Sequence, residues 1–230
     1  MQGILQIFND RILPTSEAIM QAARLIYEEV GNVLVLDVGG ASTDVYSVTV
    51  GTDQHHRSNL KSEPLAQRTI EEDLGVFINV STLVKPIGYN RIKEHHGQDW
   101  KRNLKSMPDT PEQMALSAEL TAKAITIALQ RHSRRSSNYY ETSGKVANVE
   151  GRDLTRIRWI VGTGVALTQL PNGLDIMRES IKGMAEALFL QEDIAMLLDK
   201  DCIMASLGVL TTPFRHGAWQ LLRESLGIEN

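Results

Sequence analysis

Apolar and polar positions along the chain repeat with two periods, one of strands and one of helices. Val33-Leu34-Val35-Leu36 is a β-branched apolar run of strand length, and it ends at Asp37 and two glycines, Gly39 and Gly40. Such a run predicts a buried strand. Just beyond it, Val45, Ser47 and Thr49 fall on one face and Tyr46, Val48 and Val50 on the other, which predicts a second, partnered strand. Upstream, Ala18, Ala22, Leu25, Ile26 and Val30 recur at helical spacing. Pro14-Thr15-Ser16-Glu17 predicts that helix's entrance, with a hydroxyl before it and an acid in its first turn, and Gly31-Asn32 its end. The order helix, strand, turn, strand predicts an α/β domain.

Further along, Pro108-Asp109-Thr110-Pro111-Glu112 opens a helix carrying Leu116, Leu120, Ala124, Ile127 and Ala128. Ser136 to Arg152 is polar and predicts a hairpin or loop. Strand pattern returns at Ile157 to Val161 and runs into Gly162-Thr163-Gly164. After a turn at Leu170-Pro171-Asn172-Gly173, helical spacing resumes from Leu174 to Met184. A short helix rich in small residues (Ala205, Ser206, Gly208) and a last one carrying Trp219, Leu222 and Leu226 close the chain. These shifts divide it into 1–78 and 152–230, the two parts of an α/β lobe, with 79–151 as a helical insertion.

Composition narrows the class. At 230 residues the chain can bury a substantial core, and a formal charge of −4 gives no general attraction to nucleic acid or to acidic membranes. The single cysteine, Cys202, excludes an internal disulfide framework and fits a reducing compartment; its apolar setting predicts a buried thiol. No run approaches the roughly 18 apolar residues of a membrane helix, and the first residues lack a signal-peptide pattern. The cytoplasm is the expected location.

Candidate chemistry gathers at the turn between the first two strands. Asp37-Val38-Gly39-Gly40-Ala41-Ser42-Thr43-Asp44 reads either as a plain hairpin turn or as a concave anion site built from backbone N–H groups and hydroxyls, with glycines allowing unusual dihedrals. Glu71, Glu72 and Asp73 read as the acids of a helix's first turn, with Thr69 as its cap. The basic run Arg131 to Arg135 reads as the solvated end of a helix. His55-His56 lacks acidic or cysteine partners at ligand spacing.

The string Asp37 to Asp44 between two strands resembles the second phosphate motif of the actin, Hsp70 and sugar-kinase superfamily. Glu63-Pro64 through Arg68-Thr69-Ile70-Glu71-Glu72-Asp73-Leu74-Gly75 is similar to a characteristic stretch of the glutamate mutase L family, accessory ATPase-like factors of adenosylcobalamin-dependent aminomutases. Residues 157–172 and 199–210 carry the same likeness. The resemblance implies a ribonuclease H-like, actin/Hsp70-type ATPase lobe with an inserted helical subdomain. It implies ATP or ADP with Mg2+ as cofactors. Asp37 and Asp44 are the implied catalytic acids, with Asp37 reaching magnesium through water. Gly39, Gly40, Ser42, Thr43, Glu72, Asp73, Gly162, Thr163 and Gly164 are the implied nucleotide contacts, the last three at adenosine. The small residues near Gly208 are implied to support a hinge between lobes. No first-lobe phosphate loop precedes Asp37, so the expectation is a second lobe, excised or naturally truncated, that turns nucleotide over poorly without the first. The implied partners are that missing lobe and an adenosylcobalamin-dependent mutase, with no nucleic acid and no membrane. The implied function is ATP-dependent reactivation of the mutase. A noncatalytic mutase-binding module, or a metabolite kinase or hydantoinase-like enzyme of the same superfamily, stands as the alternative.

Overall fold

A computed structural model describes residues 13–50, 64–133, 135–141, 144–150, 152–184 and 193–228, with backbone alone for 135–141 and 144–150. His55 and His56 lie outside the described residues. The central strand is β1 (Val33–Val38). On one side it pairs antiparallel with β2 (Thr43–Val48), which pairs antiparallel with β3 (Ala66–Glu71). On the other side it pairs parallel with β6 (Trp159–Thr163), which pairs parallel with β7 (Ala195–Leu198). The sheet order is therefore β3-β2-β1-β6-β7. Strands β4 (Arg135–Glu141) and β5 (Gly144–Glu150) form a separate antiparallel hairpin within the stretch read as hairpin or loop.

Both faces of this sheet are covered, which is why β1 reads as a continuous apolar run rather than an alternating one. On one face Val33, Val35, Tyr46 and Val48 pack with helix α1 (Thr15–Val30) and with two late helices, α7 (Met204–Leu210) and α8 (Arg215–Leu226). On the other, Leu34, Leu36 and Val45 pack with α2 (Val80–Ile87), α3 (Tyr89–His96), α4 (Pro111–His132) and α6 (Gly173–Lys182). A short helix, α5 (Val165–Thr168), follows β6 directly. The alternation read for β2 is thus the assignment of its side chains to two cores.

Helix α4 starts where its sequence says it should. Thr110 is the N-cap and its hydroxyl accepts the Gln113 N–H at 3.3 Å, with Pro at the first position. Leu116, Leu120, Ala124 and Ala128 are fully buried, whereas Ile127 is only partly so. Helix α1 begins one residue earlier than its hydroxyls predict. Thr15 is already helical and Pro14, which precedes it, makes no side-chain cap. Its small residues let α7 approach: a Cβ on Gly208 would lie 1.8 Å from the Ala18 carbonyl oxygen.

Two expectations are corrected. Thr69 and Glu71 belong to β3 and not to a helix start, because β3 completes the backbone ladder of β2, and residues 72 and 73 then turn. Cys202 is exposed, since it lies in the turn that precedes α7 rather than inside it. Among the described residues no helix is long and apolar enough to cross a membrane.

Candidate functional site

The ends of β1, β6 and β7 and the start of β2 meet at one edge of the sheet. Asp37 on β1 stands opposite Asp44 on β2 and, on its other side, opposite Thr163 on β6. The Thr163 hydroxyl donates to Asp199 Oδ2 at 2.9 Å, which brings in the residue just past β7. Asp37 and Asp44, from consecutive strands, are thus joined through Thr163 by Asp199 from about 155 residues further along the chain.

They are not equivalent. Asp199 is fully buried and saturated: Oδ2 also accepts the Met204 N–H, and Oδ1 accepts the Ser225 hydroxyl at 2.7 Å and the Ile203 N–H. It fixes the entry of α7 to the sheet. Asp44 is buried and accepts the Tyr46 hydroxyl at Oδ2, 3.2 Å, and bonds with Ser42, while its Oδ1 is buried without a hydrogen-bond partner. Burial raises the Asp44 pKa in spite of those bonds. Asp37 is raised to about 6, chiefly by burial and then by the charges of Asp44 and Asp199. Among the described residues neither Asp37 nor Asp44 has an ion-pair partner, which is an expensive way to bury carboxylates. The Tyr46 phenol is pushed up by burial and by the same two acids.

The turn joining the acids is braced from outside. Gly39 N–H bonds the Ser42 carbonyl at 2.9 Å, the Val76 N–H bonds the Gly39 carbonyl, and the Phe77 and Ile78 N–H groups bond the Gly40 carbonyl. The Thr43 hydroxyl donates to the Leu74 carbonyl at 2.8 Å. Gly75 has to be glycine for this brace, since a Cβ would lie 2.4 Å from the Ala41 backbone. The Leu74-to-Ile78 stretch therefore acts on the turn by holding it from behind. Gly39 and Gly40 are not in the left-handed region, contrary to the expectation of unusual dihedrals. The site glycine that needs that region is Gly164, at φ 86°, where a Cβ would lie 2.4 Å from Asp37 Oδ1 and 2.5 Å from the Val38 carbonyl oxygen. Among the described residues the N–H groups of Gly40, Ala41 and Ser42 donate no hydrogen bond.

The residues singled out in the sequence thus separate into three groups. Asp37, Gly39, Gly40, Ser42, Thr43, Asp44, Thr163 and Gly164 assemble at one edge, with the Thr43 side chain spent on the brace. Gly162 is buried, and the space beside it faces Met177, Leu167 and Leu198 of the core. Glu72 is exposed, and Asp73 takes two hydrogen bonds from the Arg131 guanidinium, which also binds Glu71. The bonds from Arg131 hold the Asp73 carboxyl below its usual range. Arg131 is therefore a latch between α4 and the end of β3 and not a merely solvated charge. Asp199 carries a readable signal, an acid that follows an apolar strand and precedes a helix start. Tyr46 gave none beyond its strand face.

A second concavity, about 640 Å³, lies between α2, α4 and α6 and is lined by Ile87, Arg91, Thr126, Asp175 and Met184 among others. None of the residues singled out for nucleotide lines it.

Fold and site define an α/β protein with a mixed five-stranded sheet whose central strand opens on an acid-lined turn. Comparison with known proteins names the group. The MutL protein family matches residues 1–226, and Protein MutL of Clostridium tetanomorphum is 25% identical over 245 residues, which cover 98% of this chain and 53% of that protein. The chain belongs to the MutL (glutamate mutase L) family. It spans about half the length of this curated relative.

Proposed function

We propose that this chain is a nucleotide-binding lobe of the actin/Hsp70 type, acting within an ATP-dependent factor that reactivates an adenosylcobalamin-dependent aminomutase such as glutamate mutase. The observation that carries the reading is the Asp37–Asp44 pair: two facing carboxylates, one oxygen orphaned, with no ion pair to either among the described residues and only the more distant charge of Arg68 acting on Asp44. A hydrated divalent cation relieves that arrangement. Oxygen donors suit Mg2+, which keeps several of its waters and takes one or two carboxylates plus phosphate oxygens.

Asp37 and Asp44 would hold the hydrated ion. The N–H groups of Gly40, Ala41 and Ser42 point to phosphate as the anion they serve, and Gly164 keeps the space beside Asp37 open. Bound magnesium would supply charge neutralisation at the phosphates. The protein's own contribution is positioning: the 74–78 brace holds the turn, and Asp199 anchors β7 and α7 around it. The sheet order β3-β2-β1-β6-β7, with only β2 antiparallel to its neighbours, supports the lobe assignment. Family membership supports the mutase partner, and the close α1–α7 packing at Gly208 is compatible with a rigid element next to a hinge.

Calorimetric titration of the chain with ADP or ATP, with and without Mg2+, tests the reading. Expected is magnesium-dependent binding that falls at least tenfold in Asp37→Asn. Equal binding by that variant, or none by either protein, removes the nucleotide role and leaves a mutase-binding module. Vigorous ATP hydrolysis by this chain alone would contradict the expectation that turnover needs the rest of the factor.

A further inference from the structure

The cluster that the proposed function leaves unused lies on the helical side of the molecule, where α3 meets α4. His95 and His96 occupy the last turn of α3, and both imidazoles turn toward one carboxylate of α4. His96 Nε2 lies 2.8 Å from Glu119 Oε2 and His95 Nδ1 lies 3.2 Å from the same oxygen. One ligand atom from each of the three residues falls within 4.8 Å of the other two. Adjacent residues on a helix usually diverge by about 100°. Here they converge, because His95 offers Nδ1 and His96 the more distant Nε2.

We propose that His95, His96 and Glu119 form a binding site for a divalent cation of the zinc class, joining α3 to α4. Two imidazole nitrogens and a carboxylate oxygen are a ligand set for zinc or nickel rather than for magnesium. Bond lengths of about 2.0–2.2 Å put the ligands of a tetrahedral ion about 3.3–3.6 Å apart. The nitrogen–oxygen separations observed need only small side-chain adjustments to reach that spacing. His96 is mostly covered, with its side chain 8% exposed, and so is held in place, whereas His95 at 47% leaves a way in. A cleft of about 410 Å³ lined by His95, His96, Asn103, Pro111, Glu112 and Ala115 borders the two histidines, so a fourth position is open to water or another ligand. The remaining carboxylate oxygen, Oε1, lies 3.5 Å from Arg91 Nε, but that side chain is 64% exposed and free to swing away.

The site is independent of the nucleotide reading and is tested without nucleotide. The chain is titrated with Zn2+ against a chromophoric chelator, and with Co2+ to follow ligand-field absorption of tetrahedral intensity. Expected is one zinc per chain, with affinity lowered at least tenfold in His96→Ala and in Glu119→Gln. Arg91→Ala is expected to bind as well as the natural chain or better, and His55→Ala/His56→Ala unchanged. Circular dichroism of each metal-free variant checks that it is folded. Zinc binding that survives His96→Ala and Glu119→Gln, that disappears with His55 and His56 instead, or that is missing from the natural chain overturns the proposal.

Discussion

The two ends of the central sheet handle buried charge in opposite ways. At the end beyond β2 and before β3, Arg152 is 1% exposed, yet its guanidinium donates to the carbonyls of Thr49, Pro64 and Leu65 at 2.6–2.7 Å. That is a buried cation compensated by fixed dipoles, which ties the hairpin's exit to the sheet. At the other end Asp37 and Asp44 face each other, raised in pKa, with a carboxylate oxygen left over. At one end the charge is met by backbone carbonyls. At the other, where the two carboxylates make no ion pair among the described residues, we propose a cation.

The comparison can be broken most forcefully by geometry. Gly164→Val forces a side chain into the Asp37 carboxylate and the Val38 carbonyl from a left-handed backbone, and should cost more than about 3 kcal/mol in urea unfolding. Gly31→Ala is the control, with a similar φ of 96° and nothing within 4 Å, and should cost only about 1 kcal/mol. At the opposite end, Arg152→Met leaves three carbonyls without their donor, with an expected loss of about 3 kcal/mol by the same measurement.

Asp37→Asn should act in the opposite direction. A folded pKa of about 6 against 3.8 means that the folded chain holds the proton more tightly, so Asp37 takes stability away as pH rises from about 4 to 6. The variant should therefore be more stable than the natural chain by about 2 kcal/mol at pH 7.5, with the difference vanishing below pH 4. His132 is the counterexample within the same fold. It is buried between the Ser47 and Thr69 hydroxyls, and burial lowers its pKa to about 3. It costs stability as pH falls below about 6.5, so thermal unfolding of His132→Gln and Asp37→Asn should show opposite pH trends. The smallest effect belongs to Arg131→Gln. Solvent screens its partly exposed pairs with Glu71 and Asp73, and about 1 kcal/mol should be lost.

Much of this arrangement was legible in the residues themselves. The β-branched run before Asp37, the alternation after Asp44 and the glycine turn after Ile160 placed three strands of the sheet, because period and turn chemistry are local. The likeness to the glutamate mutase L family is borne out. What was not legible depended on partners remote in sequence. Glu71 to Asp73 looked like a helix start because acids at that spacing favour one, and only the ladder with β2 makes Glu71 the end of a strand and Glu72 and Asp73 a turn. Gly162 looked like a site glycine, yet the side chains that fill the space beside it come from α5, α6 and β7. Arg131 looked solvated because its partners lie about sixty residues earlier. The convergence of His95 and His96 on Glu119 could not be read either, since their spacing alone points them apart.

The measurement closest to the central claim is the titration of the Asp37 carboxyl by carbon-detected nuclear magnetic resonance, with and without magnesium and ADP. The account predicts an apparent pKa of about 6 in the free chain, falling by at least one unit when the cation and nucleotide are added. An ordinary carboxyl pKa in the free chain, or a raised one that magnesium and ADP leave where it was, would contradict it.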